Sequence, residues 1–164
     1  SAQYIQCAQL LSKPLMAKEI CSSLAAKIEN VYSEIDLILS PAMGGIIIGY
    51  EIGRLLNIET IFSERINGNF ALRRDFYIPK KSNVLIIEDV ITTGKSSLEC
   101  SELVNKAGAN ILGYACLIDR SNGKSLIKEK IISQVEFTIS TYDVDSLPEE
   151  LKKIKPIKPG SRGL

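Results

Sequence analysis

The sequence predicts an α/β fold in which a central, mostly parallel, twisted sheet carries helices on both faces. Strand-like and helix-like patterns alternate along the chain, and this alternation is typical of parallel sheets built from crossover units. The run 84–87 (VLII) is apolar throughout, as expected of a strand covered on both faces. The length of 164 residues suits a single domain, which we assign to 1–164.

The helices and strands are predicted from apolar periodicity and from the residues that punctuate it. Pro14 suits the first turn of a helix, and Gly108 suits the position just after one. Gly49 and Gly53 lie one turn apart in a predicted helix, so a neighbouring element can approach closely there. The predicted helices cover 14–28, 46–56 and 96–106, and the predicted strands cover 35–39, 59–62, 84–87, 111–118 and 135–139.

Two polar stretches fall outside these elements. Residues 63–81 contain the turn signal Asn67-Gly68, and so long a polar excursion is usually a hairpin or a functional loop. Residues 152–164 are rich in Lys, Pro and Gly, which predicts an extended tail.

Composition excludes several classes of function. The formal net charge of +1 gives no reason to expect binding to nucleic acid or acidic membranes. No apolar run approaches the roughly 18 residues of a membrane span, and no signal peptide is visible, so a cytoplasmic location is expected. The chain has no histidine, which excludes Ser-His and Cys-His catalysis and makes a catalytic zinc site an unfavourable interpretation.

The four cysteines are expected to be reduced and buried. Cys7, Cys21, Cys100 and Cys116 are widely spaced and contain no C-x-x-C pair. Two disulfides are the alternative, but a chain of this length can build a core without them.

The most informative stretch is 84–96, which reads VLIIEDVITTGKS. It combines a buried strand, two adjacent acids and a hydroxyl- and glycine-rich turn that opens a helix. A helix N-terminus attracts phosphate, and Gly94 lets the backbone approach it closely. Glu88 and Asp89 would repel a phosphate in contact, but they suit a sugar diol a few ångströms away. The pattern therefore predicts a site for a phosphorylated ribose.

Two alternatives compete with this interpretation. A nucleotide P-loop ends in Gly-Lys-Ser as this segment does, but it needs a glycine where Asp89 stands. An ordinary strand–turn–helix with a chance acid pair is the other alternative, and it is disfavoured by the length and order of the motif.

Residues 88–96 resemble the phosphoribosyl pyrophosphate motif of the type I phosphoribosyltransferases. The resemblance implies that Glu88 and Asp89 bind the ribose hydroxyls and that 92–96 wrap the 5-phosphate, although Lys95 stands where relatives often have a small residue. Residues 40–45 resemble the pyrophosphate-binding loop of that family, and a plain tight turn is an equal alternative on pattern alone. The implied sugar-site residues are Met43, Gly44, Glu88, Asp89, Val90, Ile91, Thr92, Thr93, Gly94, Lys95 and Ser96.

The flanking segments resemble one branch of that family, the orotate phosphoribosyltransferases. Residues 63–65 (SER) and 72–76 (LRRDF) resemble its mobile loop, placed at about 63–81, with Asp75 where glycine is usual. Residues 117–120 (LIDR) resemble the strand end whose arginine binds orotate, whereas sequence alone favours a solvated surface arginine. The resemblance implies catalytic roles for Arg65, Arg73, Arg74 and Asp89, and orotate contacts from Thr92, Arg120 and Tyr4.

The resemblance implies transfer of the phosphoribosyl group to N1 of orotate, giving orotidine 5-phosphate and pyrophosphate in pyrimidine synthesis. Magnesium would arrive with the substrate and would have no direct protein ligand. The family's loop reaches into the neighbouring subunit, which implies a homodimer. The family's N-terminal hood over the base is expected to be reduced or truncated, since the sequence begins almost at Tyr4.

Three other functions are compatible with the same sugar site, and one of them is that of an inactive, shortened relative that binds the ligand without turnover. A purine phosphoribosyltransferase would use a different base, and Arg120 favours orotate over it. A non-catalytic regulator that senses phosphoribosyl pyrophosphate would need a basic nucleic-acid surface, which the net charge of +1 disfavours.

Overall fold

The structure is a computed structural model that describes residues 5–140, 142 and 147–154. It contains one six-stranded sheet and helices of very different lengths. The elements in chain order are α1 (Cys7–Leu11), α2 (Pro14–Glu29), β1 (Leu37–Pro41), α3 (Gly44–Leu56), β2 (Thr60–Ile66), β3 (Asn69–Leu72), β4 (Asn83–Ile91), α4 (Lys95–Ala107), β5 (Asn110–Asp119), β6 (Ile131–Glu136) and α5 (Glu149–Lys152).

The strand order of the sheet is β3-β2-β1-β4-β5-β6. All neighbouring pairs are parallel except β2 and β3, which form an antiparallel hairpin at one edge. The chain builds outward in one direction through β1, β2 and β3, and in the other through β4, β5 and β6. The order therefore reverses between β1 and β4, and ligands of open α/β sheets bind beyond the carboxyl ends of the strands at such a point.

Helices cover both faces of the sheet, as the sequence predicts. On one face α1, α2 and α3 pack against alternate strand residues such as Ile38, Leu85 and Ile87. On the other face α4 packs against Leu39 and Ile86 through Cys100 and Val104. The central strands are buried on both sides, which explains the uninterrupted apolar run of β4.

The close approach predicted at the glycines of α3 is confirmed. A Cβ atom at Gly49 would overlap the Ser40 side chain of β1, and one at Gly53 would overlap the Thr60 side chain of β2. Because these two glycines have no side chains, α3 can pack closely against β1 and β2. This packing fixes where the N-terminus of α3 lies relative to the sheet.

The first part of the predicted 63–81 loop is regular structure. Residues 63–66 complete β2, and the Asn67-Gly68 turn leads into β3, so the hairpin alternative is the observed one. Asn67 and Gly68 both have positive φ, at 50° and 86°, as turns between antiparallel strands require. After β3 the chain is anchored again by Ile78, which is buried in the core.

The prediction of a strand over 135–139 is wrong by about four residues, since β6 covers Ile131–Glu136. Its register with β5 runs from Tyr114 opposite Ile131 to Asp119 opposite Glu136. The Phe137 N–H still donates to Asp119 O at 2.9 Å, and beyond it β5 has ended. The partner strand therefore sets the limits of β6, despite the strand-like composition of the residues that follow.

Two helices were not predicted. α1 has five residues and α5 has four, and such short segments carry too few turns for a periodic signal. α5 ends where the predicted tail begins, and residues 155–164 lie outside the described part of the chain, as does Tyr4. No helix in the described ranges is long and apolar enough to cross a membrane.

The prediction of reduced, buried cysteines is confirmed. All four thiols are free and buried. Burial raises the pKa of Cys7 to about 12, of Cys21 to about 11 and of Cys100 to about 12, and it raises the pKa of Cys116 as well. Thiols held neutral in this way are weak nucleophiles, so their role is packing.

Candidate active site

A polar cleft of about 450 Å³ opens near the carboxyl end of β4, beside the start of α4 and the β2–β3 hairpin. The sheet topology places this cleft beside the switch point between β1 and β4. It is lined by Arg65, Gly68, Glu88, Val90, Thr92, Thr93, Gly94, Lys95, Ser96 and Glu99. Seven of these ten residues belong to the 88–96 motif, so the fold forms a cavity around the motif that the sequence singles out.

The two adjacent acids occupy different environments at the end of β4. Glu88 lines the cleft, and its Oε2 accepts a hydrogen bond from Ser97 Oγ at 2.6 Å. Asp89 is outside the cleft lining, and its Oδ1 accepts a hydrogen bond from Val90 N at 3.0 Å. Burial raises the pKa of Asp89, partly offset by the backbone hydrogen bonds to its carboxylate.

The 40–45 segment meets Asp89 at its glycine. A Cβ atom built on Gly44 would lie 2.6 Å from both carboxylate oxygens of Asp89. Ser40 and Pro41 end β1, and the peptide bond between Ala42 and Met43 is cis. Only Ala42 and Met43 separate β1 from α3, so the segment is a tight turn, and this turn brings Gly44 against Asp89. Its role in binding pyrophosphate stays a prediction.

The N-terminus of α4 forms another wall of the cleft. Gly94 precedes the helix with φ of 78°, a conformation that favours glycine. A side chain there would also collide with Ser125 and Ile127, and Thr93 O accepts a hydrogen bond from Leu126 N at 2.9 Å. Gly94, the N-cap residue, has no side chain to cap this helix, and the first turn contains no acid, although Lys95 N donates to Thr93 Oγ1 at 3.4 Å. Such a helix start, with Gly94, Lys95 and Ser96 in the cleft lining, suits an anion.

Arg65 is the cation held most firmly in the cleft. Its Nη2 lies 2.6 Å from Glu99 Oε2, and its Nη1 donates to Gly68 O at 2.6 Å. Its guanidinium carbon stands 4.1 Å from the centre of the Phe70 ring. The strand residue Arg65 is therefore tied to helix α4 across the cleft.

A family profile described as "Phosphoribosyl transferase domain" matches residues 6–146 of the chain. The chain is 42% identical over 165 residues to "Orotate phosphoribosyltransferase" of Maricaulis maris, covering 100% of this chain and 85% of that protein. It is 44% identical over 164 residues to the protein of the same name in Chlorobium phaeobacteroides, covering 100% of this chain and 84% of that protein.

The chain belongs to the phosphoribosyltransferase family, on its orotate phosphoribosyltransferase branch.

Solved structures agree with this family at the level of the fold. Orotate phosphoribosyltransferase from Aeropyrum pernix superposes with a TM-score of 0.70 at 18% identity, covering 81% of this chain and 78% of that one. An adenine phosphoribosyltransferase superposes with a TM-score of 0.68 at 20% identity, covering 77% of this chain and 84% of that one. Both comparisons describe the shared phosphoribosyltransferase architecture rather than the base.

Most of the sugar-site residues predicted for the phosphoribosyltransferase come together. Asp89 and Gly44 adjoin each other, and Met43, just before α3, is 79% exposed. Ile91 is placed differently, because its side chain is fully buried in the core and its carbonyl accepts a hydrogen bond from Arg120 N at 2.8 Å. The predicted residues that line the cleft are Arg65, Glu88, Val90, Thr92, Thr93, Gly94, Lys95 and Ser96.

The remaining predicted residues lie outside the cleft lining. Arg120 follows β5, one strand beyond the motif. Arg74 forms an ion pair with Glu64 and stands 5.3 Å from the centre of the Phe62 ring, while the exposed Arg73 immediately precedes it. Asp75 has φ of 57°, a left-handed conformation that glycine adopts more readily than aspartate.

Three residues of the site, Gly68, Ser97 and Glu99, were not among the site residues that the sequence predicts. Ser97 is fully buried in α4, and only the tertiary structure shows that it faces Glu88. Glu99 stands four residues after Lys95, a spacing that pairs opposite charges on a helix and could have suggested it.

The described residues contain no group of three or more His, Cys, Asp or Glu side chains that could hold a metal ion. Glu88 and Asp89 stand next to each other near the end of β4. Such a pair suits a cation carried by a ligand and reached through water better than a site built by protein alone.

Proposed function

We propose that this protein transfers the 5-phosphoribosyl group from phosphoribosyl pyrophosphate to N1 of orotate, releasing pyrophosphate and forming orotidine 5-phosphate. The observation that carries the proposal is the cleft, where the Glu88 carboxylate, followed directly in the chain by Asp89, stands beside the N-terminus of α4. The full-length similarity to orotate phosphoribosyltransferases selects the reaction and the base.

The sugar half of the substrate fits the two chemical surfaces of the cleft. The 5-phosphate would accept hydrogen bonds from the backbone of 93–96 and from the hydroxyls of Thr92, Thr93 and Ser96. Glu88 and Asp89 would accept hydrogen bonds from the ribose 2- and 3-hydroxyls. The Ser97 hydroxyl, which donates to Glu88 Oε2 at 2.6 Å, would hold the carboxylate in place for this contact.

The base would lie towards β5, where Arg120 stands. A guanidinium offers a planar fork of donors that matches the carboxylate or imide edge of orotate. Thr92 is exposed at the near end of the cleft and would bridge the phosphate and base positions. Tyr4 is proposed as a neighbour of the base from the resemblance alone.

The protein needs no nucleophile for this reaction. It must align N1 of orotate with C1 of the ribose and neutralise the charge that develops on the departing pyrophosphate. Magnesium, bound to the pyrophosphate of the substrate, supplies part of that neutralisation. Arg65 and the N-terminus of α3 beside Gly44 lie where the chain itself would supply the rest.

The assembly we propose is a homodimer in the cytoplasm. Arg65 lies in the cleft of its own chain, whereas Arg73 and Arg74 lie beyond the hairpin and would act on the partner's cleft. Four free, buried cysteines suit a reducing compartment.

The reaction is tested by mixing the purified protein with magnesium, phosphoribosyl pyrophosphate and orotate and following the loss of orotate absorbance. We expect loss only when all three are present, with no competition from adenine, hypoxanthine or uracil. Transfer to a purine base without transfer to orotate would refute the proposed base and support the purine alternative.

Arg73→Ala is expected to lower kcat about tenfold or more while changing KM for phosphoribosyl pyrophosphate by less than about threefold. The reason is that a loop cation that closes over the leaving group acts mainly in the transition state. Steady-state kinetics with both substrates varied provide the measurement. Equal changes in kcat/KM and in the dissociation constant for phosphoribosyl pyrophosphate would instead identify a plain binding contact. Lys80→Ala, in the same segment, is the matched control.

A further inference from the structure

Glu99 places a carboxylate between two cations inside the cleft. Its Oε2 lies 2.6 Å from Arg65 Nη2, and its Oε1 lies 3.9 Å from Lys95 Nζ. The Glu99 side chain is 24% exposed, whereas those of Arg65 and Lys95 are 38% and 77% exposed. Lys95 is therefore a loosely held surface partner, and Arg65 is the partner whose position Glu99 determines.

The contact with Arg65 is more than a local helix pair. Arg65 belongs to β2 and Glu99 to α4, so the ion pair joins the hairpin to the helix that carries the phosphate-binding N-terminus. Gly68 O and the Phe70 ring hold the guanidinium from the hairpin side. Glu99 supplies the remaining constraint, from the opposite wall, and so fixes the direction in which Arg65 faces the cleft.

The same carboxylate is unfavourable for an anionic ligand. If Arg65 binds the leaving pyrophosphate, as the proposed function has it, that ligand would meet the negative charge of Glu99, whose Oε2 lies 2.6 Å from Arg65 Nη2. At such separations a unit charge at a protein surface changes a binding free energy by an amount equivalent to several-fold in affinity. Glu99 thus occupies the anion position on Arg65 in the absence of ligand.

We propose that Glu99 is a positioning residue and an internal counter-anion: it orients Arg65 for the leaving pyrophosphate and weakens the binding of that pyrophosphate, which favours its release. The positioning half of this proposal rests on the proposed function. The counter-anion half concerns binding alone and can be measured without turnover.

Glu102 provides a matched control on the same helix. Its Oε2 pairs with Lys106 Nζ at 4.0 Å, and its side chain is 69% exposed and outside the cleft. Glu102→Gln and Glu99→Gln therefore remove the same charge from the same helix at positions about one turn apart, but only Glu99 lines the cleft.

Calorimetric titration with inorganic pyrophosphate and magnesium tests the counter-anion role. Glu99→Gln is expected to bind pyrophosphate about three- to tenfold more tightly than wild type, and Glu102→Gln within about twofold of wild type. Unchanged or weaker binding by folded Glu99→Gln overturns this role. Because no reaction is involved, the result is independent of whether orotate is the base.

Kinetics test the positioning role. Glu99→Gln is expected to lower kcat about tenfold while KM for phosphoribosyl pyrophosphate stays the same or falls, a split that a loss of stability would not produce. Glu99→Asp retains the charge but shortens the side chain, so it should bind pyrophosphate like wild type and still lose kcat. Full kcat in both variants overturns the positioning role.

A double variant identifies the residue through which Glu99 acts. If Glu99 acts through Arg65, then Glu99→Gln should cost little further kcat in an Arg65→Ala background. Independent, multiplicative losses would overturn that link. Wild-type protein without any transferase activity would count against the proposed function, whereas active wild type with an unaffected Glu99→Gln variant would count against Glu99 alone.

Discussion

Asp89→Asn is expected to lower kcat/KM for phosphoribosyl pyrophosphate about 10- to 100-fold without unfolding the protein. A carboxylate accepts hydrogen bonds from both ribose hydroxyls, whereas an amide presents one acceptor and one donor to them. Losing a charged hydrogen bond of this kind costs about 1.5–3 kcal/mol. The amide oxygen can still accept the hydrogen bond from Val90 N, so the local backbone contact is retained.

The same variant makes a prediction about pH. Burial raises the pKa of Asp89 above its ordinary value, so the folded state disfavours the charged form. As the pH falls through this raised pKa, wild-type Asp89 takes up a proton and should lose affinity for the diol. Asp89→Asn should lack that acidic limb, and at neutral pH it should be at least as stable as wild type because it removes a partly desolvated charge.

Initial rates across a range of pH and thermal melts provide the measurements. Asp36→Asn is the control, because Asp36 accepts a hydrogen bond from Asn83 N at 2.7 Å at the opposite end of the sheet from the cleft. An Asp89→Asn protein with wild-type activity and an unchanged acidic limb would remove Asp89 from the sugar site.

Gly44→Ala is expected to raise KM for phosphoribosyl pyrophosphate about tenfold or more. The new methyl group would stand 2.6 Å from both oxygens of Asp89, so the carboxylate or the turn before α3 must move. Overpacking of this kind typically costs about 1–3 kcal/mol of folding free energy. Here the strain would displace the carboxylate of Asp89. The combined variant with Asp89→Asn should show much less than the product of the two losses, because both changes act on one carboxylate.

Gly123→Ala is the control for the glycine substitution. Gly123 has φ of 71° and nothing within 4 Å of an added Cβ, so alanine strains a turn there without crowding the cleft. We expect the control to lose some thermal stability and to retain wild-type KM, whereas Gly44→Ala should show the reverse pattern. Equal KM values in the two variants would show that contact between Gly44 and Asp89 has no part in binding.

The core of the site could be predicted from the sequence because it is local. A strand, an acid pair, a turn and a helix start follow one another within 84–96, so chain connectivity alone brings them together. The close approach at the glycines of α3 could also be predicted, because their spacing indicates a close neighbour. The spacing does not identify that neighbour as Ser40 or Thr60.

Contacts between segments that are distant in the sequence could not be predicted in this way. Glu99 looks like half of a surface helix pair until β2 brings Arg65 to within 2.6 Å of it. Ser97 looks like an ordinary helix residue until β4 presents Glu88 to it. β6 was misplaced for the same reason, because β5 determines which residues of 131–139 find hydrogen-bond partners.

The sequence by itself determined the fold class, through local periodicity, and the phosphoribosyl motif, through the order of residues 84–96. It also indicated the branch of the family, through the resemblance of the flanking segments. The tertiary structure alone decided that the 40–45 turn adjoins Asp89, that Arg65 faces its own chain's cleft, and that Glu99 stands opposite it. The physical reason is that sheet order and register, rather than separation along the chain, set the distances between charges on different elements, and those distances decide which charges interact.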